Sequence, residues 1–485
     1  MTDRSKVIFG NPMPAKVVRK AERGQAKMIR RYGDDRGKAY HLALKDNAVI
    51  GESLGVRELV MAQEPLESLP ENPLVVGNIR MGFGHYRISM AIASAAHALG
   101  YTPLWLDLNS FHETTGGKII AGQNDLYSLG SRLSQQFWLF NRLVWEPMNS
   151  EGFRHLSYNA ADQKNAELMT PILADLPRDI PYVATHVWPA QAAVHAGLTN
   201  VVNAVPDNWP MALHLAEGAM HTVQTPSAYL GYRALRGMDK GRDLKAMPRE
   251  SIACTGHYID HELVSHLPED CDARVRRAGS GEPLRYLLTV GGAGAQKDIF
   301  VGIIRMLLPQ VREKRAALFI NVGDHRKLWD ELCAAVPELR TDCDLHFDDF
   351  PAASAFTEQC RTRTVTGIHA FCHDDIFAAV YITNLLMRVS DVLITKPSEL
   401  AFYPVPKLMI HRVGGHEAWG AIRSAEVGDG TYECDTMRDV SAMLRLFAQD
   451  DSVMRLMCAQ IDTARKAGIY DGAYNVVKLT AGRPY

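Results

Sequence analysis

No stretch of this chain approaches the roughly 18 apolar residues that a helix needs to cross a bilayer. The opening segment, MTDRSKVIFG, lacks the apolar core of a secretory signal. These two absences predict a cytoplasmic protein without a spanning segment. Cysteine is scarce, with 8 in 485 residues, and the eight form neither a C-x-x-C pair nor a metal-ligand spacing. A disulfide scaffold and a structural zinc site are therefore not expected, and the thiols read as reduced and mostly buried. A charge excess is also missing. The net charge is -2, which gives no global attraction to nucleic acid or to an anionic surface. The full dinucleotide fingerprint G-x-G-x-x-G is absent because Arg87 stands where its third glycine would be. No D-x-D pair sits at a suitable strand end; Asp342 and Asp344 fall in what reads as a polar loop. The expectation is a protein with no metal and no resident cofactor.

Hydrophobic residues make up 47% and charged residues 22%, an ordinary balance for a globular protein. At a prior of ~150 residues per domain, more than one domain is expected. Residues 1–72 stand apart as an N-terminal extension. Its stretch 15–38, AKVVRKAERGQAKMIRRYGDDRGK, is basic and short of large apolar residues. It reads as a solvated, partly helical arm, and as a candidate for peripheral membrane contact. From 73 to 265, apolar β-branched runs such as PLVVGNI and TPLWLDL alternate with helical patterns. That alternation predicts a parallel sheet covered on both faces. Segment 266–282, HLPEDCDARVRRAGSGE, is polar and charged and reads as a linker. The same rhythm restarts over 283–450. Helices are expected over 451–485, and they are candidates for crossing back to the first domain. The result is an α/β fold of two parallel-sheet domains facing a central cleft. Open parallel sheets bind ligands at the carboxyl ends of their strands.

Five stretches carry candidate chemistry. Gly82-Phe83-Gly84-His85 joins a strand to a helix. Glycines there allow close backbone approach, and the helix N-terminus favours an anion. Gly291-Gly292-Ala293-Gly294-Ala295-Gln296 repeats that design in the second half. Lys396-Pro397-Ser398-Glu399 follows the strand DVLIT and opens an expected helix over 398–403, where a carboxylate suits a ribose diol. Gly414-Gly415-His416-Glu417 precedes Ala418-Trp419 and could hold sugar hydroxyls. Asp207, in NAVPDNWP, ends an apolar strand, where it reads equally as a general base and as a turn residue. His186, at the end of PYVATH, is placed similarly.

In this order the pieces resemble the two-domain GT-B glycosyltransferases. The group with the best resemblance contains monogalactosyldiacylglycerol synthases, processive diacylglycerol glucosyltransferases and MurG. The carriers are Gly84-His85, Asp207, CTGHYI (254–259), GGAGAQ (291–296), DVLITKPSELAFYPVP and GGHEAWGA (414–421). Glu399 and Pro406 keep the family's Glu-to-Pro spacing, and His416 takes the place of the family's Gln. Two features depart from the pattern. The loop from Lys396 to Glu399 is shorter than in the family, and the N-terminal extension has no counterpart.

The resemblance implies two Rossmann-like domains and an inverting, metal-independent hexosyl transfer from a nucleotide-sugar co-substrate, UDP-linked, to a lipid or small-molecule acceptor. It assigns the proton-accepting role to His85 or Asp207. It places the donor on Gly84, Gly292, Gly294, Phe371, Lys396, Ser398, Glu399, His416 and Glu417. The aromatic segment 126–147 lies where lipid-acting members carry their acceptor region. Two other readings stay open: a sugar-nucleotide 2-epimerase or hydrolase of similar fold, and a catalytically silent binding protein.

Overall fold

The computed structural model describes residues 3–80, 82–124, 152–291 and 296–483. The segment 126–147 and the glycines Gly292 and Gly294 lie outside the described residues. A small hairpin of β1 (Val7–Ile8) and β2 (Asn11–Pro12) and a helix, Ala15–Tyr32, come first. The helix packs along a second one, Leu156–Ala166.

The first domain is built on eight strands: β3 (His41–Asp46), β4 (Arg57–Ala62), β5 (Pro73–Asn78), β6 (Thr102–Asp107), β7 (Tyr182–Ala184), β8 (Val201–Ala204), β9 (Met220–Val223) and β10 (Ile252–Cys254). Their order is β10-β9-β8-β7-β5-β6-β4-β3. All pairings are parallel except β3 with β4. The central strands are buried on both faces, as their continuous apolar sequences demand. Part of the N-terminal extension thus belongs to this sheet. Its residues 41–62 supply the edge of this sheet. Their half-buried, mixed polar pattern is what an edge strand shows, and it hid them from a search for apolar runs.

The second domain has a six-stranded, wholly parallel sheet of β11 (Leu284–Thr289), β12 (Ala316–Asn321), β13 (Cys343–Phe347), β14 (Gly367–Cys372), β15 (Val392–Thr395) and β16 (Lys407–Met409). The order is β13-β14-β12-β11-β15-β16. Asp344 lies in edge strand β13 rather than in a loop, and its side chain is exposed. The expected linker is also structured. Residues Leu267–Ser280 form a helix in which Arg274 and Arg277 are buried against the second domain. Arg274 donates to the carbonyls of Met387 and Ser390. Arg277 holds Asp391 at 2.7 Å. Charges that read as solvated therefore close the C-terminal end of helix Ile376–Val389.

The two domains share a core. Helix Phe83–Ala98 of the first packs on helix Ile376–Val389 of the second, and one apolar cluster joins Tyr86, Trp105, Phe377 and Tyr381. Arg87, buried at this contact, donates to Asn384 Oδ1 at 2.9 Å. Asn384 in turn donates to Asp260, which also accepts from the Tyr403 hydroxyl. The last helix, Gly472–Thr480, packs back on the first domain.

His257 ties the same junction. Its Nδ1–H donates to the Phe402 carbonyl at 2.9 Å, so the neutral ring can accept at Nε2 from Arg423, 3.2 Å away. Burial pushes its pKa down to about 3. Below the ordinary histidine pKa of ~6.5, the unfolded chain takes up a proton that the folded chain refuses. Stability then falls by roughly 1.4 kcal/mol per pH unit from this residue as pH drops from 6.5 toward 3. We expect His257→Gln to show a shallower loss of urea stability than wild type between pH 6.5 and 4, as followed by circular dichroism. Equal slopes would refute the assignment.

Candidate functional site

Each sheet has one place where the chain turns from one direction of winding to the other. In the first it lies between β5 and β7, and in the second between β11 and β15. Such switch points open crevices at the strands' carboxyl ends. The segment after β5 carries Gly82, Gly84 and His85, and the one after β7 carries Thr185 and His186. Gly291 follows β11, and Lys396, Ser398 and Glu399 follow β15.

The two crevices face one another. A Cβ added to Gly84 would lie 3.3 Å from Glu399 Oε2. Glu399 Oε1 stands 3.5 Å from Arg87 Nε. Arg80 pairs with Asp324 across the gap at 2.7 Å. Phe83 rests on Gly323, where a Cβ would meet its ring at 2.4 Å. Gly82 is needed for a different reason from these close approaches: it caps the helix at φ 81°, a left-handed conformation that glycine adopts without penalty.

His85 lies in the first turn of its helix, partly open to the cleft. Its Nδ1 is 2.7 Å from the carbonyl of Thr185. A carbonyl only accepts, so Nδ1 carries the hydrogen and the Nε2 lone pair faces away from it. Burial lowers the pKa, while the carboxylates of Asp207 and Glu399 work against that shift. His186 has the opposite tautomer. Its Nδ1 accepts from the backbone N–H of Trp188 at 3.2 Å, which leaves a hydrogen on Nε2. Burial, followed by the nearby His85 and His214, holds His186 well below the usual imidazole range. The two rings meet edge to face, 4.8 Å apart at an angle of 85°.

Asp207 follows β8, with its side chain 39% exposed. Its Oδ2 is 3.3 Å from His214 Nε2. His214 Nδ1 lies 2.6 Å from the Tyr232 hydroxyl, which donates to the Trp209 carbonyl at 3.0 Å. When Tyr232 donates there, His214 must donate at Nδ1. Its Nε2 faces Asp207 Oδ2. The sequence singled out His85, Asp207 and His186. It did not single out His214, which sits in the one-turn helix Ala212–His214 with no strand-end pattern to mark it.

On the second domain the placements diverge. Lys396 lies over Gly291, where a Cβ would be 3.0 Å from its Cε, and it pairs with Glu417. Glu417 also accepts from the backbone N–H groups of Val413 and Gly414. It therefore braces its own turn beside Lys396. Trp419, two residues on, is the side chain that reaches the first domain, 6.1 Å from the Trp209 ring. The helix expected at 398–403 is only a 3₁₀ turn, Glu399–Phe402. Pro397 before it and Pro404 and Pro406 after it block a longer one. Ser398 is half-buried at the start of that turn and makes no side-chain cap. Phe371 departs most from its expected place. Its ring is in the core, stacked on His346 at 4.7 Å, and its residue is paired in the ladder with both β12 and β13. A strand interior holds its backbone there, so Phe371 does not open onto the cleft.

Two Rossmann-like domains with facing switch points, and a final helix returned to the first, define an α/β fold of the GT-B type. Residues 7–234 match the family model described as Domain of unknown function (DUF6937), and residues 247–481 match Domain of unknown function (DUF6938). No curated protein matches the sequence. Among solved structures, the chain is similar to UDP-GlcNAc 2-epimerase from Neisseria meningitidis bound to UDP-GlcNAc, at 11% identity and a TM-score of 0.43, over 84% of this chain and 98% of that one. It is similar to a putative UDP-N-acetylglucosamine 2-epimerase from Listeria monocytogenes, at 11% identity and a TM-score of 0.41, over 84% and 95%. It is also similar to WaaG, a glycosyltransferase of lipopolysaccharide biosynthesis, at 14% identity and a TM-score of 0.37, over 84% and 100%. Among the described residues, no helix is long and apolar enough to cross a membrane.

Proposed function

We propose that this chain is an inverting glycosyltransferase that moves a sugar from a nucleotide donor, UDP-linked, to an acceptor bound on the first domain. The observation that carries the reading is the state of His85. The Thr185 carbonyl holds its Nδ1–H, burial keeps the ring neutral, and the basic Nε2 is left at the point where the two crevices meet. In that role Nε2 takes the proton of the acceptor hydroxyl as its oxygen attacks the anomeric carbon. Asp207 stabilises the imidazolium that results, with His214 holding the carboxylate in place. The diphosphate leaves toward the second domain's switch point. Lys396 offsets its charge there, and Glu399 accepts from the ribose. No metal is required in this scheme.

Calorimetric titration with UDP and with a panel of UDP-sugars tests the reading. Saturable binding is expected, and absence of heat with every nucleotide at millimolar concentration would sink it. One observation favours a second reading, a sugar-nucleotide 2-epimerase or hydrolase. His85 accepts and His186 donates, side by side, which suits proton movement at a single sugar carbon. Incubation with a UDP-sugar and no acceptor separates the two. An altered sugar or free UDP formed under those conditions selects the second.

A further inference from the structure

Beside Asp207 lies a cavity of 290 Å³, at the lower end of the size range of small-molecule sites. Asn208, Pro210, Leu230, Gly231 and Arg236 of the first domain line it, and Trp419 of the second closes it. The walls are largely apolar. Leu230 is 67% exposed, an unusual amount for a leucine with apolar neighbours. Trp419 is only half-buried and presents a flat indole to the same space. Gly231 is required here because a Cβ would sit 2.2 Å from Pro210 Cγ.

One polar group lines the rim of the cavity, and a second lies beside its Trp419. Arg236 is exposed at the rim and pairs with no carboxylate among the described residues; its backbone carbonyl accepts from Arg154 and its backbone N–H donates to Gly231. The indole Nε1–H of Trp209, next to Trp419, is buried without an acceptor. Indole N–H groups usually find a partner when buried.

We propose that this cavity is the acceptor subsite, and that it takes a ring compound carrying an anionic group: the ring lies against Trp419 and Leu230, and the anion meets Arg236. The inference rests on the transferase reading above and adds the acceptor's chemical class to it. An apolar ring gains from aromatic walls, and a guanidinium binds carboxylate or phosphate oxygens in a planar fork. Because Trp419 belongs to the donor-side domain, the subsite is complete only when the two domains face each other as they do here.

Anilinonaphthalene sulfonate, an anionic ring compound, serves as the probe, and N-phenylnaphthylamine as its uncharged counterpart. Both should bind saturably, with a rise in fluorescence. Trp419→Ala and Leu230→Glu should each weaken both probes about tenfold, which corresponds to about 1.4 kcal/mol. Arg236→Gln should weaken the sulfonate severalfold and leave the uncharged probe unchanged. Leu230 and Arg236 are exposed, so their variants keep the test readable if Trp419→Ala fails to fold. Equal affinity of wild type and the Leu230 and Arg236 variants for both probes would overturn the proposal. UDP titration of the same variants distinguishes the two failures. If UDP binds but the probes ignore the substitutions, only the subsite is lost. If no nucleotide binds, the transferase reading falls on its own.

Discussion

Separate replacement of His85 by Ala and of Asp207 by Asn is expected to lower turnover, by roughly 10²–10⁴-fold for His85, the usual contribution of a positioned general base, and by less for Asp207, which supports it. Affinity for UDP should stay near that of the wild type, because neither side chain is assigned to the nucleotide. The two variants differ in their pH dependence. In the wild type, kcat/KM should fall as pH drops through the pKa of His85, which burial places below the ordinary value of ~6.5. The base works only when neutral, so the acidic limb belongs to His85, and His85→Ala should lose it. Asp207→Asn removes a carboxylate that favours the charged ring. The limb should therefore persist in that variant and move to lower pH. Steady-state rates across pH 4–8 with a competent donor and acceptor provide the measurement. Unchanged turnover in both variants would take both side chains out of the reaction, and nucleotide binding without turnover in the wild type would favour a silent binding protein. An unmoved limb in Asp207→Asn would remove Asp207 from the reaction.

The second large effect is on stability. Lys407 is fully buried at the start of β16, and its ammonium lies 2.7 Å from Asp429 Oδ1. It also donates to the carbonyls of Tyr403 and Val405. Asp429, equally buried, accepts from Ser424 and Tyr470. Lys407→Met leaves that carboxylate without its counter-charge. Breaking a buried pair from one side costs about 3–5 kcal/mol, whereas removing both charges is far milder. Lys407→Met should therefore unfold at distinctly lower urea concentration, and adding Asp429→Asn should recover part of the loss. If the double variant were no more stable than the single one, the ion pair would not be the cause. This pair anchors the turn after helix Ala418–Val427, so the single variant should also loosen Trp419.

The sequence disclosed whatever local periodicity or turn chemistry can carry. The apolar runs PLVVGNI and LRYLLTV, alternating with helical patterns, read as buried parallel strands. The glycines at 82 and 84 announced a strand-to-helix turn that approaches something closely. Those features depend on neighbouring residues, so one sequence suffices to show them. Other features depended on residues far apart in the chain. The edge strands β3 and β13, and β4 beside β3, are half-solvated and carry no continuous apolar run. The buried arginines of helix Leu267–Ser280 look solvated until Ser390 and Asp391 are brought to them. The tautomer of His85 waits on the Thr185 carbonyl of a neighbouring strand, and the approach of Gly84 to Glu399 and the meeting of Trp419 with Trp209 exist only once two sheets face each other. The residue types were chosen locally, but hydrogen-bond partners and desolvation are set by packing. Packing alone turned a Gly-His turn and a strand-end aspartate into a shared cleft.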